Sequence, residues 1–181
     1  GDKEYNNGME TVQGKYIYYM PKTLTTITLI NLELVPNYMF ENCVYLENII
    51  LDGYFDTTGA WAFKNCTNLI NVSLPHTLSI YSDYSFADCH NLITVNTGFN
   101  VSSVESNAFQ NCYKLANLDT KNIISIDDYG FQNCYELVIE KLDQLEFVGD
   151  YAFQNCYNLK TCHFSESFRN YPFGQELELG I

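Results

Sequence analysis

The sequence predicts an α/β repeat solenoid, in which the chain winds in coils with short parallel strands on one face and short helical turns or irregular segments on the other. The first observation is the motif Phe-x-(Asn/Asp)-Cys-x-x-Leu, which occurs six times. The second is its spacing, since successive motifs begin 22 or 23 residues apart, the length of one leucine-rich-repeat coil. The third is the length of 181 residues, which suits a single domain. The motifs begin at Phe40, Phe63, Phe86, Phe109, Phe131 and Phe153.

The strand of each coil is predicted directly after the motif Leu, where apolar residues recur three and five positions later. Leu69 is followed in this way by Val72 and Leu74, and this alternation is typical of a strand with one buried face. A second apolar pair before each Phe, such as Val101 and Val104, fills the return half of the coil. We therefore expect a right-handed leucine-rich-repeat superhelix with about 4.8 Å between strands of adjacent coils.

The segment before each Phe is predicted to be a short helical turn that runs to the motif Cys. Three positions before the Phe, most coils carry a residue that accepts hydrogen bonds at helix N-termini, with Ala60 as the exception. The Asp residues among them could also be calcium ligands, but one carboxylate per coil falls short of the about six to eight oxygens that calcium prefers. Capping is the favoured interpretation. The residues are Asn37, Asp83, Ser106, Asp128 and Asp150.

The whole chain, residues 1–181, is predicted to be one leucine-rich-repeat domain. Residues 18–164 hold about seven repeats, and the first is degenerate, with Tyr18 in place of the motif Phe. We expect residues 1–17 to form an N-terminal cap, as a hairpin, and residues 165–181 to form a C-terminal cap. The terminal coils of a solenoid need such caps because they otherwise expose core residues and sheet edges.

The repeat resembles that of the BspA-like branch of leucine-rich-repeat proteins, which reads approximately Ile-x-x-x-Ala-Phe-x-x-Cys-x-x-Leu-x-x-Val-x-Leu-Pro. Residues 104–112 (Val-Glu-Ser-Asn-Ala-Phe-Gln-Asn-Cys) match its first half, and residues 69–75 (Leu-Ile-Asn-Val-Ser-Leu-Pro) match its second half. The resemblance implies a secreted or surface-displayed protein that binds host matrix proteins and is not an enzyme. The sequence departs from the pattern at Glu140, where we expect a bulge or register shift that uses Ile139 or Leu142 in the core.

Six of the seven cysteines occupy the same motif position, and we expect them to be free, buried thiols. Side chains that lie parallel in one column do not present the near-perpendicular torsion of an unstrained disulfide. Zinc requires tetrahedral convergence of ligands, which a linear column lacks. Inter-coil disulfides and zinc binding are the alternatives. The seventh, Cys162, lies at an apolar strand position and is assigned to the core, so no metal or cofactor is predicted.

Charge and composition argue against several classes of function. Nine Lys and Arg against 22 Asp and Glu give a net charge of −13, which disfavours binding to nucleic acid or to anionic lipid. No apolar run approaches the roughly 20 residues of a transmembrane helix, so we expect no membrane insertion by this segment. The three His residues occupy unrelated positions in the coil, and the sequence has no glycine-rich phosphate loop. We therefore expect no enzymatic activity.

The outward strand residues form one candidate binding surface, because a solenoid displays its strands as an extended face. Asn71, Thr94 and Asn117 are the candidate contact residues on it. The alternative is a solvated sheet face that is polar by default. The outward positions are predicted to be Thr26 and Thr28, Asn48 and Ile50, Asn71 and Ser73, Thr94 and Asn96, Asn117 and Asp119, Ile139 and Lys141, and Thr161 and His163.

Two columns of aromatic residues form a second candidate surface. Tyr113, Tyr135 and Tyr157 each follow a motif Cys, with His90 one coil earlier. The other column lies two positions before each Phe, with Asn107 as the exception. The columns either seal the edge of the rod or form an adhesive strip, since Tyr and Trp are favoured at interfaces. The second column consists of Tyr38, Trp61, Tyr84, Tyr129 and Tyr151, with Trp61 and Tyr84 as its candidate contact residues.

These observations predict an extracellular or cell-surface binding and adhesion module that contacts a protein ligand, for example a host extracellular-matrix protein. Two alternatives stay open. One is a structural spacer or self-assembly unit of a surface protein, and the other is a carbohydrate-binding module, since Tyr, Trp and Asn suit sugar rings and hydroxyls. No signal peptide or anchor is recognised in the sequence, which says nothing against secretion.

Overall fold

The computed structural model describes residues 9–12, 15–18, 23–98, 100–160 and 163–164. Short strands account for all of the regular secondary structure in these ranges. The strands are β1 (Met9–Val12), β2 (Lys15–Tyr18), β3 (Thr26–Leu32), β4 (Asn48–Gly53), β5 (Asn71–Ser73), β6 (Ile80–Tyr81), β7 (Thr94–Asn96), β8 (Ser103–Val104), β9 (Asn117–Leu118), β10 (Ser125–Ile126), β11 (Lys141–Leu142), β12 (Phe147–Val148) and β13 (His163–Phe164).

Parallel pairing between successive coils organises the strands, which confirms the predicted solenoid. A five-stranded sheet has the order β3-β4-β5-β7-β9, and a four-stranded sheet has the order β12-β10-β8-β6. Strands β11 and β13 pair separately. Strands β1 and β2 form an antiparallel hairpin in the segment where an N-terminal cap is predicted. The predicted C-terminal cap, together with Thr161 and Cys162, lies outside the described residues.

The core is a stack of equivalent motif residues. The six motif Phe rings are buried and lie face to face, with centroids of adjacent rings between 4.7 and 5.8 Å apart. Each coil also buries its motif Leu, and several coils bury the apolar residues of their strands, such as Val72. The apolar pairs of the return half, such as Val101 and Val104, pack against them and carry the four-stranded sheet. The register between coils is therefore set by shape matching of identical side chains.

The turn that contains each Phe is not helical, and no helix occurs in the ranges that the structure describes. The amides of Tyr84, Phe86 and Asp88 donate to carbonyls of the next coil, whereas those of Ser85 and Ala87 donate within their own turn. In every coil the residues two before and two after the Phe have φ between +53° and +64°. The prediction of a helical turn was wrong because the neighbouring coil offers an acceptor to every second amide.

The prediction that the polar residues three positions before the Phe cap helices was wrong, and two of them, Asn37 and Asp128, instead join coils. The Asn37 Oδ1 atom accepts from the amide of Ala60 at 2.9 Å, and the Asp128 Oδ1 atom accepts from the amide of Asp150 at 2.7 Å. In both pairs the donor lies one coil further along the chain. Among the described residues, no group of His, Cys, Asp and Glu side chains could hold a metal ion.

The six motif cysteines are free thiols, of which Cys43 is half-buried and the others are buried. From Cys66 onward, each thiol donates to the carbonyl of the motif Phe in the preceding coil, with sulfur–oxygen distances of 3.0 to 3.1 Å. Burial raises the pKa of all six thiols, to about 12 for Cys43 and Cys156. The thiols therefore act as neutral donors in the core and not as nucleophiles.

The motif Asn residues form a ladder of side-chain amides parallel to the thiols. The Nδ2 atom of Asn133 donates to the Oδ1 atom of Asn111, and Asn155 donates to Asn133, both at 2.7 Å. Asn111 donates in turn to Asp88, and a separate pair joins Asn65 to Asn42. Because each amide both donates and accepts, one residue type links successive coils.

The coil that contains Glu140 departs from its neighbours, as predicted. Glu140 is exposed, whereas Ile139 and Leu142 are buried. The assignment of Ile139 to the outward face is therefore wrong. Strand β11 begins four residues after its motif Leu137, whereas β5, β7 and β9 begin two residues after theirs. Lys141 and Leu142 pair with His163 and Phe164, which lie at the same two positions after Leu159, so the departure is local to the residues just before β11. The five-stranded sheet ends at β9.

Candidate functional site

The predicted contact residues lie in three separate columns along the solenoid, with one residue per coil. The strand-face row consists of Thr26, Asn48, Asn71, Thr94 and Asn117, which the sheet register aligns. The Nδ2 atom of Asn71 donates to the Oδ1 atom of Asn48 at 3.0 Å, and that of Asn117 donates to the Thr94 hydroxyl at 3.4 Å. The row is thus a hydrogen-bonded strip of uncharged groups on the five-stranded sheet.

The His–Tyr column consists of His90, Tyr113, Tyr135 and Tyr157. Its rings stack with centroid distances of 4.7, 5.0 and 5.3 Å. Exposure increases along the column, to 37% for Tyr135 and 61% for Tyr157. Burial, reinforced by the neighbouring Tyr135, raises the pKa of the Tyr113 hydroxyl, so this group is a neutral hydrogen-bonding partner at physiological pH.

The outer aromatic column consists of Tyr38, Trp61, Tyr84, Tyr129 and Tyr151. The first three rings stack with centroid distances of 5.4 and 5.2 Å, and the last two stack at 5.2 Å. Asn107, in the same position of its coil, separates the two stacks. The Lys64 ammonium lies 4.9 Å from the centroid of the Tyr84 ring, a cation–π contact that adds positive charge to the column.

The outer aromatic column occupies an unusual backbone conformation. All six residues at its position have φ between +53° and +64°, in the left-handed region that bulky side chains rarely adopt. The motif Asn or Asp position, two residues after the Phe, has the same conformation in all six coils. Asn and Asp tolerate this region well, and they are the residues found there. Five of six coils nevertheless carry Tyr or Trp in the outer column.

A groove beside the strand-face row was not predicted from the sequence. It has a volume of about 720 Å³ and lies at the end of the five-stranded sheet. Residues 95–97 and 116–121 form one side, and Val138, Glu140, Lys141 and Asp143 form the other. Among the predicted contact residues, Asn117 lines it. The signal for the groove was Glu140, whose interruption of the strand pattern predicts a register shift but not the space that the shift creates.

Comparisons with known proteins agree with this architecture. The family model of the BspA type leucine rich repeat region matches six copies, over residues 11–138 and 111–174. A comparison with curated proteins finds no significant match.

Several solved structures share the fold at low sequence identity. A leucine-rich-repeat protein of T. pallidum has a TM-score of 0.60 and 20% identity, over 84% of this chain and 70% of the other. A leucine-rich cell surface protein of Faecalibacterium prausnitzii A2-165 has a TM-score of 0.51 and 20% identity, over 88% and 46%. A leucine-rich-repeat protein of Bacteroides ovatus ATCC 8483 has a TM-score of 0.53 and 19% identity, over 91% and 48%. This chain thus spans less than half of the last two proteins.

Leucine-rich repeats of this type serve as protein-interaction or structural surface modules and are generally non-catalytic. Within the described ranges, no helix has the length and apolar character needed to cross a membrane. The repeat signature extends over most of the sequence, and the described coils stack its Phe, Cys and Asn residues in register. This chain belongs to the BspA type leucine-rich-repeat family.

Proposed function

We propose that this protein is a non-catalytic adhesion module, located outside the cell or on its surface, that binds a protein ligand of the host extracellular matrix through its outer aromatic column. One observation carries the proposal: aromatic side chains occupy a left-handed backbone position that Asn fills at Asn107. Residues in sparsely populated backbone regions are disfavoured by about 1–3 kcal/mol each and cluster at functional sites. The aromatic residues therefore serve a purpose that the backbone does not require.

The chemistry of the column favours a protein partner. Tyr and Trp are enriched among the residues that contribute most to protein–protein binding. Because neighbouring rings cover each other at 5.2 to 5.4 Å, most rings of the column present their edges and polar tips to solvent. Edges and hydroxyls suit the mixed surface of a protein, whereas a sugar ring would need an open aromatic face. A glycan ligand is accordingly the less supported alternative.

The location outside the cell rests on similarity. The Faecalibacterium prausnitzii protein of the same fold is described as a leucine-rich cell surface protein. The net charge of −13 and the abundance of uncharged polar side chains suit an exposed surface module that does not bind nucleic acid.

A double variant, Trp61→Asn with Tyr84→Asn, tests the proposal. Binding would be measured by biolayer interferometry against a panel of purified extracellular-matrix proteins, with a glycan array in parallel. We expect at least one matrix protein to bind, and the double variant to bind at least about tenfold more weakly because its interfacial aromatics are lost. The melting temperature should change little, because Asn suits the left-handed conformation. Tyr54→Asn, at an exposed aromatic outside the columns, is the matched control.

Three results would count against the proposal. The first is the absence of binding to every matrix protein of the panel, and the second is unchanged binding by the double variant. The third is a large loss of thermal stability in the double variant, which would make the column structural. Size-exclusion chromatography with light scattering covers the self-assembly alternative, because concentration-dependent oligomers of the isolated chain would favour it.

A further inference from the structure

The groove at the end of the five-stranded sheet exposes an unpaired strand edge. At earlier junctions, one carbonyl per coil accepts from two successive amides of the next coil, as Ile93 does from Ala116 and Asn117 at 3.1 Å each. Ala116 is the equivalent residue of the next coil. The carbonyl of Ala116 accepts no hydrogen bond from the amides of residues 138–140, all of which the structure describes. The carbonyls that accept such pairs are those of Thr25, Glu47, Ile70 and Ile93.

The unpaired edge has both kinds of backbone group. In a parallel ladder the donor on an edge lies two residues after the acceptor, so the amide of Leu118 faces the same side of β9 as the carbonyl of Ala116. Both residues line the groove. The other edge of β9 is occupied by β7. A strand that enters the groove would thus find an acceptor and a donor at the spacing that the preceding coils use between themselves.

The groove lining favours a peptide over other ligands. Leu118 and Val138 supply apolar surface, and charged residues of both signs surround it. No aromatic side chain lines the groove, so a sugar ring finds no stacking partner there. The lining holds three carboxylates and two ammonium groups, and this excess of negative charge favours a peptide with basic residues. The charged residues are Asp119, Lys121, Glu140, Lys141 and Asp143.

We propose that this groove binds an extended, basic peptide segment of a partner protein, which adds to the free edge of β9 as a further parallel strand. The proposal rests on the proposed function, in that the protein binds other proteins, and it supplies a second contact site distinct from the outer aromatic column. Addition of a strand to an exposed edge is a general mode of peptide recognition, in which main-chain hydrogen bonds provide affinity and side-chain pockets provide specificity. The volume of about 720 Å³ lies in the range of ligand sites.

A synthetic peptide, acetyl-Lys-Val-Thr-Val-Thr-Val-Lys-amide, serves as the probe. NMR titration of the full chain should shift the amide resonances of residues 116–119, with a dissociation constant of about 1 mM or lower. A second peptide with N-methyl groups on the three Val residues lacks the backbone N–H groups that would donate to the carbonyl of Ala116. We expect it to bind at least about tenfold more weakly, because the main-chain bonds are lost. Absence of shifts with the first peptide, or equal binding of the second, would overturn the proposal.

The variant Glu140→Val tests the origin of the groove. Val restores the apolar residue of the repeat at this position, so the strand should return to the common register, pair with β9 and protect the Leu118 amide from hydrogen exchange. Peptide binding should then be lost. Glu146→Val, at an exposed site outside the groove, is the matched control and should bind like the original chain. Undiminished binding to Glu140→Val with a protected Leu118 amide would contradict strand addition.

The two proposals fail separately. The variant with Trp61→Asn and Tyr84→Asn leaves the groove intact and should bind the probe peptide normally. Loss of matrix-protein binding in that variant with normal peptide binding supports both sites. If the chain binds matrix proteins but not the peptide, only the proposal for the groove is refuted.

Discussion

At the residue scale, the motif residues form many of the hydrogen bonds that join neighbouring coils. The carbonyl of Phe86 accepts from the amide of Cys89 in its own coil and from the thiol of Cys112 in the next. Cys is suited to this site because it is small, apolar and still a weak donor. Ser85 departs from this pattern, because its hydroxyl is fully buried and has no hydrogen-bond partner. Most other coils have Ala at this position.

Ser85→Ala should therefore stabilise the protein. Removal of an unsatisfied buried hydroxyl is expected to raise the free energy of unfolding by about 1 kcal/mol, since such a group is desolvated without compensation. Chemical denaturation monitored by circular dichroism measures the change. Ser73→Ala, at a half-buried strand position, provides the comparison and should have little effect. A loss of stability in Ser85→Ala would mean that the hydroxyl has a partner, such as a buried water.

At the element scale, the sequence predicts strands well and turns poorly. The strand that contains Val72 is visible from its alternating pattern because burial of one face is a local property. The turn around Phe86 looked helical because Asp83 is a typical capping residue, yet its alternate amides bond to the next coil. Such pairing depends on a partner 22 or 23 residues away, which no local pattern encodes. The same reason explains why Glu140 predicted a shift in register but not a groove.

The candidate site, like the fold, could be predicted only in part from the sequence. Regular spacing identified the aromatic columns around Trp61 and Tyr113, and the structure stacks both. What the spacing could not show is the left-handed backbone at Trp61, because Tyr and Trp give no indication of positive φ. That conformation is the observation on which the proposed function depends, and it is set by the folded chain and not by a local sequence pattern.

The side-chain amide ladder is interrupted between Asp88 and Asn65, and this break leads to a testable prediction. Asp88 accepts from Asn111 at 2.7 Å, but a carboxylate has no donor for Asn65 on its other side. Asp88→Asn should join the two separate ladders into one and raise the free energy of unfolding by about 0.5–1.5 kcal/mol. Thermal denaturation measures the change. Asp52→Asn removes the same charge at an exposed strand position and controls for net charge. An equal gain in both variants would assign the effect to charge alone.

At the scale of the whole molecule, stability comes from a one-dimensional stack in which each coil covers its neighbours. Phe109 lies between Phe86 and Phe131, at 5.2 and 5.4 Å, and contacts Tyr81 edge-on at 4.7 Å. Phe109→Ala should lower the free energy of unfolding by about 3–5 kcal/mol, because it leaves a cavity that the rings above and below cannot fill. Urea denaturation provides the measurement. Tyr151→Ala, at an exposed ring, should lower it far less, and similar losses would argue against the continuous core.

The negative charge of the whole molecule predicts that mild acid stabilises the fold. Burial, together with the neighbouring carboxylates of Asp83 and Asp128, raises the pKa of Asp127, and burial and Asp83 raise that of Glu105. A carboxyl group with a raised pKa binds its proton more tightly in the folded state. Stability should therefore increase as pH falls from neutral through these raised values, and the gain should be complete below the ordinary pKa values of 4.5 for Glu and 3.8 for Asp.

Melting temperatures measured between pH 7.5 and pH 4 test whether stability increases as the pH falls. The Glu105 Oε2 atom accepts from the amide of Asp83 at 3.1 Å, and a Gln side chain keeps an acceptor there. Glu105→Gln should consequently raise the melting temperature at pH 7.5 and flatten its pH dependence, while Glu146→Gln, at an exposed site, should leave the profile unchanged. A melting temperature that falls steadily from pH 7.5 to pH 5 would mean that paired carboxylates outweigh the repulsion among Asp83, Glu105 and Asp127. The net charge of −13 makes the opposite balance the expected one.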